Sequence, residues 1–243
     1  MEQKDSIILY AYVADPGTSG SLTIAAPEMG VKKADTDKRL KYQTSIQNNQ
    51  QDILLPFQFQ FENRIKRLDS TGIRLYRDST YTLVDSFQLS VDTSGRQLTL
   101  ITSWDEGQSY HLILSKGAVE DSLGKQWIKT DTLSFTTKRK SDYGKVKIRL
   151  RGLDMSQQPV LQFVQADRVI KSVRLTGPLY EEALFYPGEY QLRILLDKNE
   201  NGRWDTGAFF GTRKQPERVN PLEKRVTVKP NWLNEYELET GNR

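Results

Sequence analysis

The chain contains no cysteine. That absence removes disulfides, thiolate metal centres and cysteine nucleophiles. It has a single histidine, His111, between Tyr110 and Leu112. One histidine cannot build a His-based zinc site, and a serine triad would have to use it. Strand alternation turns His111 outward if its neighbours face in, so an exposed strand residue is the simpler reading. No G-x-S-x-G elbow, P-loop or dinucleotide fingerprint occurs. Long hydrophobic runs are also missing. Residues 7–14 form the only apolar run near the start. The run is too short to span a bilayer. It lacks the basic start and small-residue cleavage site of a signal peptide, and it reads as a strand. Nor is one sign of charge in excess: 35 basic and 31 acidic residues leave +4. This small, dispersed surplus does not point to nucleic acid.

What remains is a β pattern. A length of 243 residues exceeds one average domain, and 37% hydrophobic residues suffice for two modest cores. A mean hydropathy of −0.63 implies small domains with much surface. From Asp52 onward, Leu55, Phe57, Phe59 and Phe61 alternate with polar residues, the period of a half-buried strand. Ile73 and Leu75, Phe87 to Val91, Leu98 and Leu100, Tyr110 to Leu114, and Leu133 and Phe135 continue it. Asp92-Thr93-Ser94-Gly95 supplies a turn. A second series opens at Val146, Ile148 and Leu150 and runs through Tyr190, Leu192, Ile194 and Leu196 to Tyr236 and Leu238. The expected fold is all-β: two consecutive antiparallel β-sandwiches over residues 51–140 and 141–243. Lys138-Arg139-Lys140-Ser141-Asp142-Tyr143-Gly144 reads as a solvated linker. Residues 1–50 read either as the tail of a preceding domain or as a first strand plus long loop of the next one. The rarity of long structureless loops favours the tail.

Two resemblances accompany these patterns. Pro56-Phe57-Gln58-Phe59-Gln60-Phe61, Gly117-Ala118-Val119-Glu120-Asp121-Ser122-Leu123-Gly124 and Asp131-Thr132-Leu133-Ser134-Phe135-Thr136-Thr137 are similar to the bacterial Ig-like domain of the SbsA/Big_5 type. Tyr186-Pro187-Gly188-Glu189-Tyr190, with the loop that follows, resembles prealbumin-like and Cna-B-like domains. The order of the two resembles the C-terminal part of Ig-like-domain lipoproteins of Gram-negative bacteria. The resemblance implies a non-catalytic, exported module at the cell surface, outer membrane or periplasm. Membrane attachment would then run only through a lipid anchor outside this chain. The partner implied is an unidentified protein or glycan.

One stretch carries ligand chemistry. Asp197, Asn199, Asn201 and Asp205 fall at positions 1, 3, 5 and 9 of an EF-hand-type loop, with Gly202 at position 6 and the Arg203 carbonyl at the backbone-ligand position. Hard oxygens in this order suit Ca²⁺. Position 12 is Ala208, so the usual bidentate glutamate is missing. The spacing therefore predicts weak binding, on the order of 10⁻⁴–10⁻³ M. The competing reading is a polar hairpin in which Asn201-Gly202 only makes the turn.

Other candidates are blander. Asp105-Glu106, Glu120-Asp121 and Glu181-Glu182 are adjacent acids, which point opposite ways on a strand and do not converge as glycosidase acids do. Trp104, Trp127, Trp204 and Trp232 suit either a glycan-stacking surface or ordinary core and loop packing.

Overall fold

A computed structural model describes residues 38–208, 210, 211 and 213–240. The strand expected at residues 7–14 lies outside the described residues. Among the described residues there are nineteen strands, three short 3₁₀ turns and no α-helix. Two β-sandwiches follow one another along the chain, as the alternating pattern implied.

The first sandwich faces two sheets together. One sheet orders β1 (Tyr42–Thr44), β3 (Phe57–Phe61), β8 (Gln97–Ile101) and β7 (Gln88–Val91). The other orders β2 (Gln50–Gln51), β11 (Asp131–Thr137), β9 (Ser109–Leu114), β5 (Ile73–Arg77) and β6 (Thr82–Val84). A two-stranded ribbon of β4 (Ile65–Leu68) and β10 (Val119–Asp121) stands beside them. Phe57, Phe59, Leu98, Leu100, Leu75, Leu112 and Phe135 fill the space between the sheets. Inward and outward residues alternate along each strand, so side chains from both sheets meet in one layer.

The second sandwich repeats the plan with different strands. A three-stranded sheet orders β15 (Leu179–Phe185), β12 (Gly144–Arg151) and β19 (Leu233–Glu239). Opposite it lie β14 (Arg168–Arg174), β13 (Pro159–Gln165), β16 (Gly188–Leu196) and β17 (Val219–Pro221), with β18 (Val226–Val228) also pairing β16. Its core is separate and built on Val146, Ile148, Leu161, Phe163, Leu192, Ile194 and Val226.

Three expectations change. Pairing is not antiparallel throughout: β2 runs parallel to β11, and β12 runs parallel to β19. In the second sandwich these are the first and last strands. A whole domain separates them, so no tight hairpin dictates an antiparallel pairing. Residues 38–50 are part of the first sandwich, since β1 pairs with β3 and Leu40 is buried in that core. Their polar look follows from β1 being a short strand at the end of its sheet. Leu55 does not join the Phe57 strand. It is exposed, and its carbonyl accepts hydrogen bonds from Gln51 and Trp104. The proline at 56 separates it from the ladder.

The junction between the sandwiches is exposed over residues 139–142, as expected of a solvated linker, but Lys138 and Tyr143 on either side of that stretch are tied to the first sandwich. Tyr143 is buried, and its hydroxyl donates to Asp52 Oδ1 at 2.7 Å while accepting from the Ile53 N–H at 3.2 Å. Lys138 Nζ pairs with Asp52 Oδ2 at 3.1 Å. The Tyr143 ring packs on Tyr186, centroids 5.7 Å apart. Glu106 accepts the Lys140 N–H at 2.8 Å. Burial pushes the Tyr143 phenol well up, and the Asp52 carboxylate adds to it, so Tyr143 remains a proton donor. Burial alone would raise Asp52. Hydrogen bonds from Tyr143, the Leu54 N–H and Lys138 outweigh it and hold the carboxyl below its ordinary range.

Candidate functional site

The loop singled out by its spacing leaves the end of β16. Strand β16 buries Tyr190, Leu192, Ile194 and Leu195, and Asp197 follows with 0% exposure. A carboxylate at such a place must be hydrogen-bonded. Asp197 Oδ1 accepts from the Asn201 N–H at 3.1 Å, and Oδ2 accepts from the Gly202 N–H at 2.7 Å. The chain thus curls around Asp197. Gly202 has φ +74°, the left-handed conformation the turn needs.

Asn199, Asn201 and Asp205 meet on the outside of this curl. The Asn199 amide donates to Asp205 Oδ2. Asn201 Nδ2 donates to both Asp205 oxygens at 3.2 Å. These amide bonds, Asn201 first, with Lys214 adding its charge, hold the Asp205 carboxyl below its usual range. Lys214 Nζ stands 3.5 Å from Asp205 Oδ2. Arg203 enters through its N–H, which donates to Asn201 Oδ1 at 2.7 Å. Asn199 Oδ1 accepts from the Asn201 N–H at 3.2 Å. Arg174 ties the loop to β14 by bonding the Glu200 carboxylate at 2.9 Å and its carbonyl at 2.6 Å.

One residue escaped the spacing argument. Glu217 sits where the chain returns to the sheet. Its carbonyl accepts the Trp204 indole N–H at 2.8 Å, and its Oε2 accepts the Asp205 N–H at 3.1 Å. Its own N–H donates to the Asp205 carbonyl at 3.1 Å. Glu217 is 8% exposed, and its Oε1 has no hydrogen-bond partner. Between the two legs the chain folds on itself. Ala208 and Lys214 bridge through 2.9 and 3.0 Å hydrogen bonds. A Cβ at Gly207 would come 2.5 Å from the Lys214 carbonyl oxygen, so the fold-back needs glycine there.

The five predicted residues are therefore brought to one loop. Their amide groups present N–H to Asp205, and three carboxylates or histidines do not gather into a ready-made ion cage among the described residues. The donor set still fits a hard cation. The Asn199 and Asn201 Oδ1 atoms each accept one backbone N–H and keep a second lone pair, and Glu217 Oε1 is a buried acceptor without a hydrogen-bond partner.

The remaining candidates have structural roles. His111 Nδ1 lies 2.9 Å from Ser134 Oγ, and its ring stacks on Tyr81 at 4.5 Å. Glu182 pairs with Lys171, Glu181 with Lys147, Asp105 with Arg77 and Glu120 with Lys66. Asp121 holds backbone N–H groups of its own turn. Trp127 is buried, and Trp104 packs against the first core. Trp204 and Trp232 are 49% and 65% exposed. No helix of the described residues is long and apolar enough to cross a membrane, which leaves strand-based crossing unaddressed.

No protein-family model matches the chain, and no curated protein matches it. Solved structures do show likeness. The N-terminal part of the bacterial S-layer protein SbsC is 15% identical with a TM-score of 0.32, over 57% of this chain and 37% of that one. The chain thus spans little more than a third of that structure. Fibronectin(III)-like modules of Clostridium thermocellum CbhA are 10% identical, TM-score 0.22, over 84% of this chain and 96% of theirs. BcpA, the major pilin subunit of Bacillus cereus, is 8% identical, TM-score 0.26, over 83% of this chain and 70% of its own. At these scores the likeness carries no weight for function, and the fold assignment rests on the strand order and the two cores.

Proposed function

We propose that this protein is a non-catalytic structural or interaction module of a bacterial cell surface, in which two sandwiches in tandem space or dock other components. The observation that carries this reading is the clasp of Tyr143, Asp52 and Lys138, which ties the start of the second sandwich to the first within hydrogen-bond distance. A junction of this kind suits a spacer, because it anchors the start of the second module to the first. The motifs similar to Big_5-type and prealbumin-like domains support export and a surface location. The carboxylates of the sequence's acidic pairs are bound to lysines, arginines or backbone, which supports a non-catalytic role.

In the same reading the loop at Asp197 is stabilised by Ca²⁺. Asp197, Asn199, Asn201, Asp205 and the Arg203 carbonyl would hold the ion, which would cross-link the loop electrostatically. A carbohydrate-binding role has less to stand on, since Trp104 and Trp127 belong to the first core, the Trp204 indole N–H is tied to Glu217, and the exposed Trp232 ring has Lys229 Nζ over it at 5.6 Å.

Three measurements test the reading. Antibody labelling of intact source cells is expected to mark the exterior, and labelling confined to the cytoplasm would overturn it. Calorimetric titration with CaCl₂ is expected to show binding at or below millimolar concentration, and no heat at several millimolar would end the calcium part. A glycan array is expected to stay blank.

A further inference from the structure

The calcium reading has a gap, since position 12 of the loop is alanine. The fold supplies a residue to fill it from the other leg. Strands β16 and β17 pair Arg193 with Pro221, Ile194 with Asn220 and Leu195 with Val219. The Leu196 N–H then donates to the Arg218 carbonyl at 3.0 Å. One step further in the same register, Asp197 faces Glu217. Neither uses its N–H across the pair: Asp197 donates to Gln158 and Glu217 to Asp205. Opposed residues at such a position carry side chains on the same face, at their closest approach.

Two carboxylates therefore frame the mouth of the excursion formed by residues 198–216. Both are buried, at 0% and 8% exposure. Asp197 spends its oxygens on two loop N–H groups. Glu217 spends only Oε2, on the Asp205 N–H. Its Oε1 is buried without a partner beside the proposed ligand Asp205. A buried, unsatisfied carboxylate oxygen is costly unless something positive meets it.

We infer that Glu217 is the missing acidic ligand of the Ca²⁺ site, so that one ion ties both legs of the excursion, through Asp197 on one and Glu217 on the other. This rests on the calcium reading of the Asp197 loop and extends it. Among the described residues no three acids already stand together as a metal site, so the ion would have to draw Asp197, Asp205 and Glu217 inward; with two carboxamide oxygens and one backbone carbonyl they would then supply six oxygen ligands, within the range Ca²⁺ takes. The exposed Lys214–Asp205 pair is an internal cation at the same carboxylate, which the ion would displace.

The test uses the full chain and CaCl₂ as the probe. Titration calorimetry and thermal melting are run on the wild type, on Glu217→Gln and on the control Glu200→Gln. The expected result is that Glu217→Gln weakens Ca²⁺ about tenfold or more and abolishes the Ca²⁺-dependent rise in melting temperature. Its melting temperature in chelator should not fall, and Glu200→Gln should behave as wild type. Wild-type binding with unchanged affinity in Glu217→Gln overturns the assignment of Glu217 and leaves the calcium loop standing. No binding by the wild type removes both. Should Glu217→Gln fail to fold, the Glu217 side-chain carboxyl carbon is followed by NMR in the wild type. A shift saturating with Ca²⁺ supports the ligand role, and an unmoved resonance defeats it.

Discussion

Each sandwich contains a buried aspartate that opens a loop, and the two loops differ instructively. Asp121 is 1% exposed and Asp197 is 0% exposed. Asp121 Oδ1 accepts the Leu123 and Lys125 N–H groups at 2.9 and 2.8 Å, and Oδ2 accepts the Asn63 amide at 2.9 Å. The backbone closes at once, with the Asp121 N–H on the Lys125 carbonyl at 2.9 Å. Both oxygens of that aspartate are used, Oδ1 by N–H groups of its own turn and Oδ2 by Asn63 from the connection between β3 and β4. Asp197 is served in the same way by Asn201 and Gly202, but the chain does not close behind it. It travels on to Glu217 and leaves extra side-chain oxygens around the curl. A closed Asx turn is complete in itself. An open one with an unsatisfied carboxylate has capacity for a cation.

That contrast can be broken in order of effect. Replacing Asp121 with alanine should cost the most. It leaves two backbone N–H groups and the Asn63 amide without their acceptor, at about 1–3 kcal/mol for each buried group left unsatisfied. Denaturant unfolding should show the same loss in CaCl₂ and in chelator. A calcium-dependent loss would erase the distinction between the loops. Next in size is calcium itself. At a hundredfold excess over its Kd, a ligand bound only by the folded state adds about 2.7 kcal/mol. Amide exchange should slow at β16 and β17 and stay unchanged around Asp121. Uniform slowing, or none, would count against a local site.

The junction provides a smaller, calcium-independent effect. Tyr143→Phe removes the hydrogen bond to the Asp52 carboxylate and should cost about 1.5–3 kcal/mol before relaxation. The pH dependence has a definite sign. The folded carboxyl of Asp52 is depressed, so its contribution is fully present above the ordinary aspartate value near 4 and fades as pH falls through the lower folded value. Tyr143→Phe should flatten that acid limb, and an unaltered acid limb would show that the clasp contributes nothing there. The smallest effect is expected for Glu200→Gln. Its ion pair with Arg174 is solvent-exposed, and such pairs contribute about 0–1 kcal/mol. A larger loss would mean that the loop depends on this anchor more than on Asp197.

Much of this was legible from local pattern. The Phe57-Phe59-Phe61 and Tyr190-Leu192-Ile194 alternations specified buried strand faces, because a strand's side chains switch sides at every residue. The loop residues Asp197, Asn199, Asn201, Gly202 and Asp205 were found by spacing, because their contacts lie within one turn of the chain. The polarity of residues 38–50 hid a strand at the sheet end, where burial is too slight to leave a periodic signal. The linker's lysines and arginine suggested solvent, and only Asp52, distant in sequence, made Lys138 and Tyr143 into a clasp.

By itself, the sequence determined the all-β class, the two cores and the position of the calcium-type curl, since each depends on neighbours within a few residues. Tertiary structure alone decided that Glu217 faces Asp197. That juxtaposition depends on the register of β16 against β17 across the intervening excursion, and hydrogen-bonded register is a property of two strands together, invisible in either one.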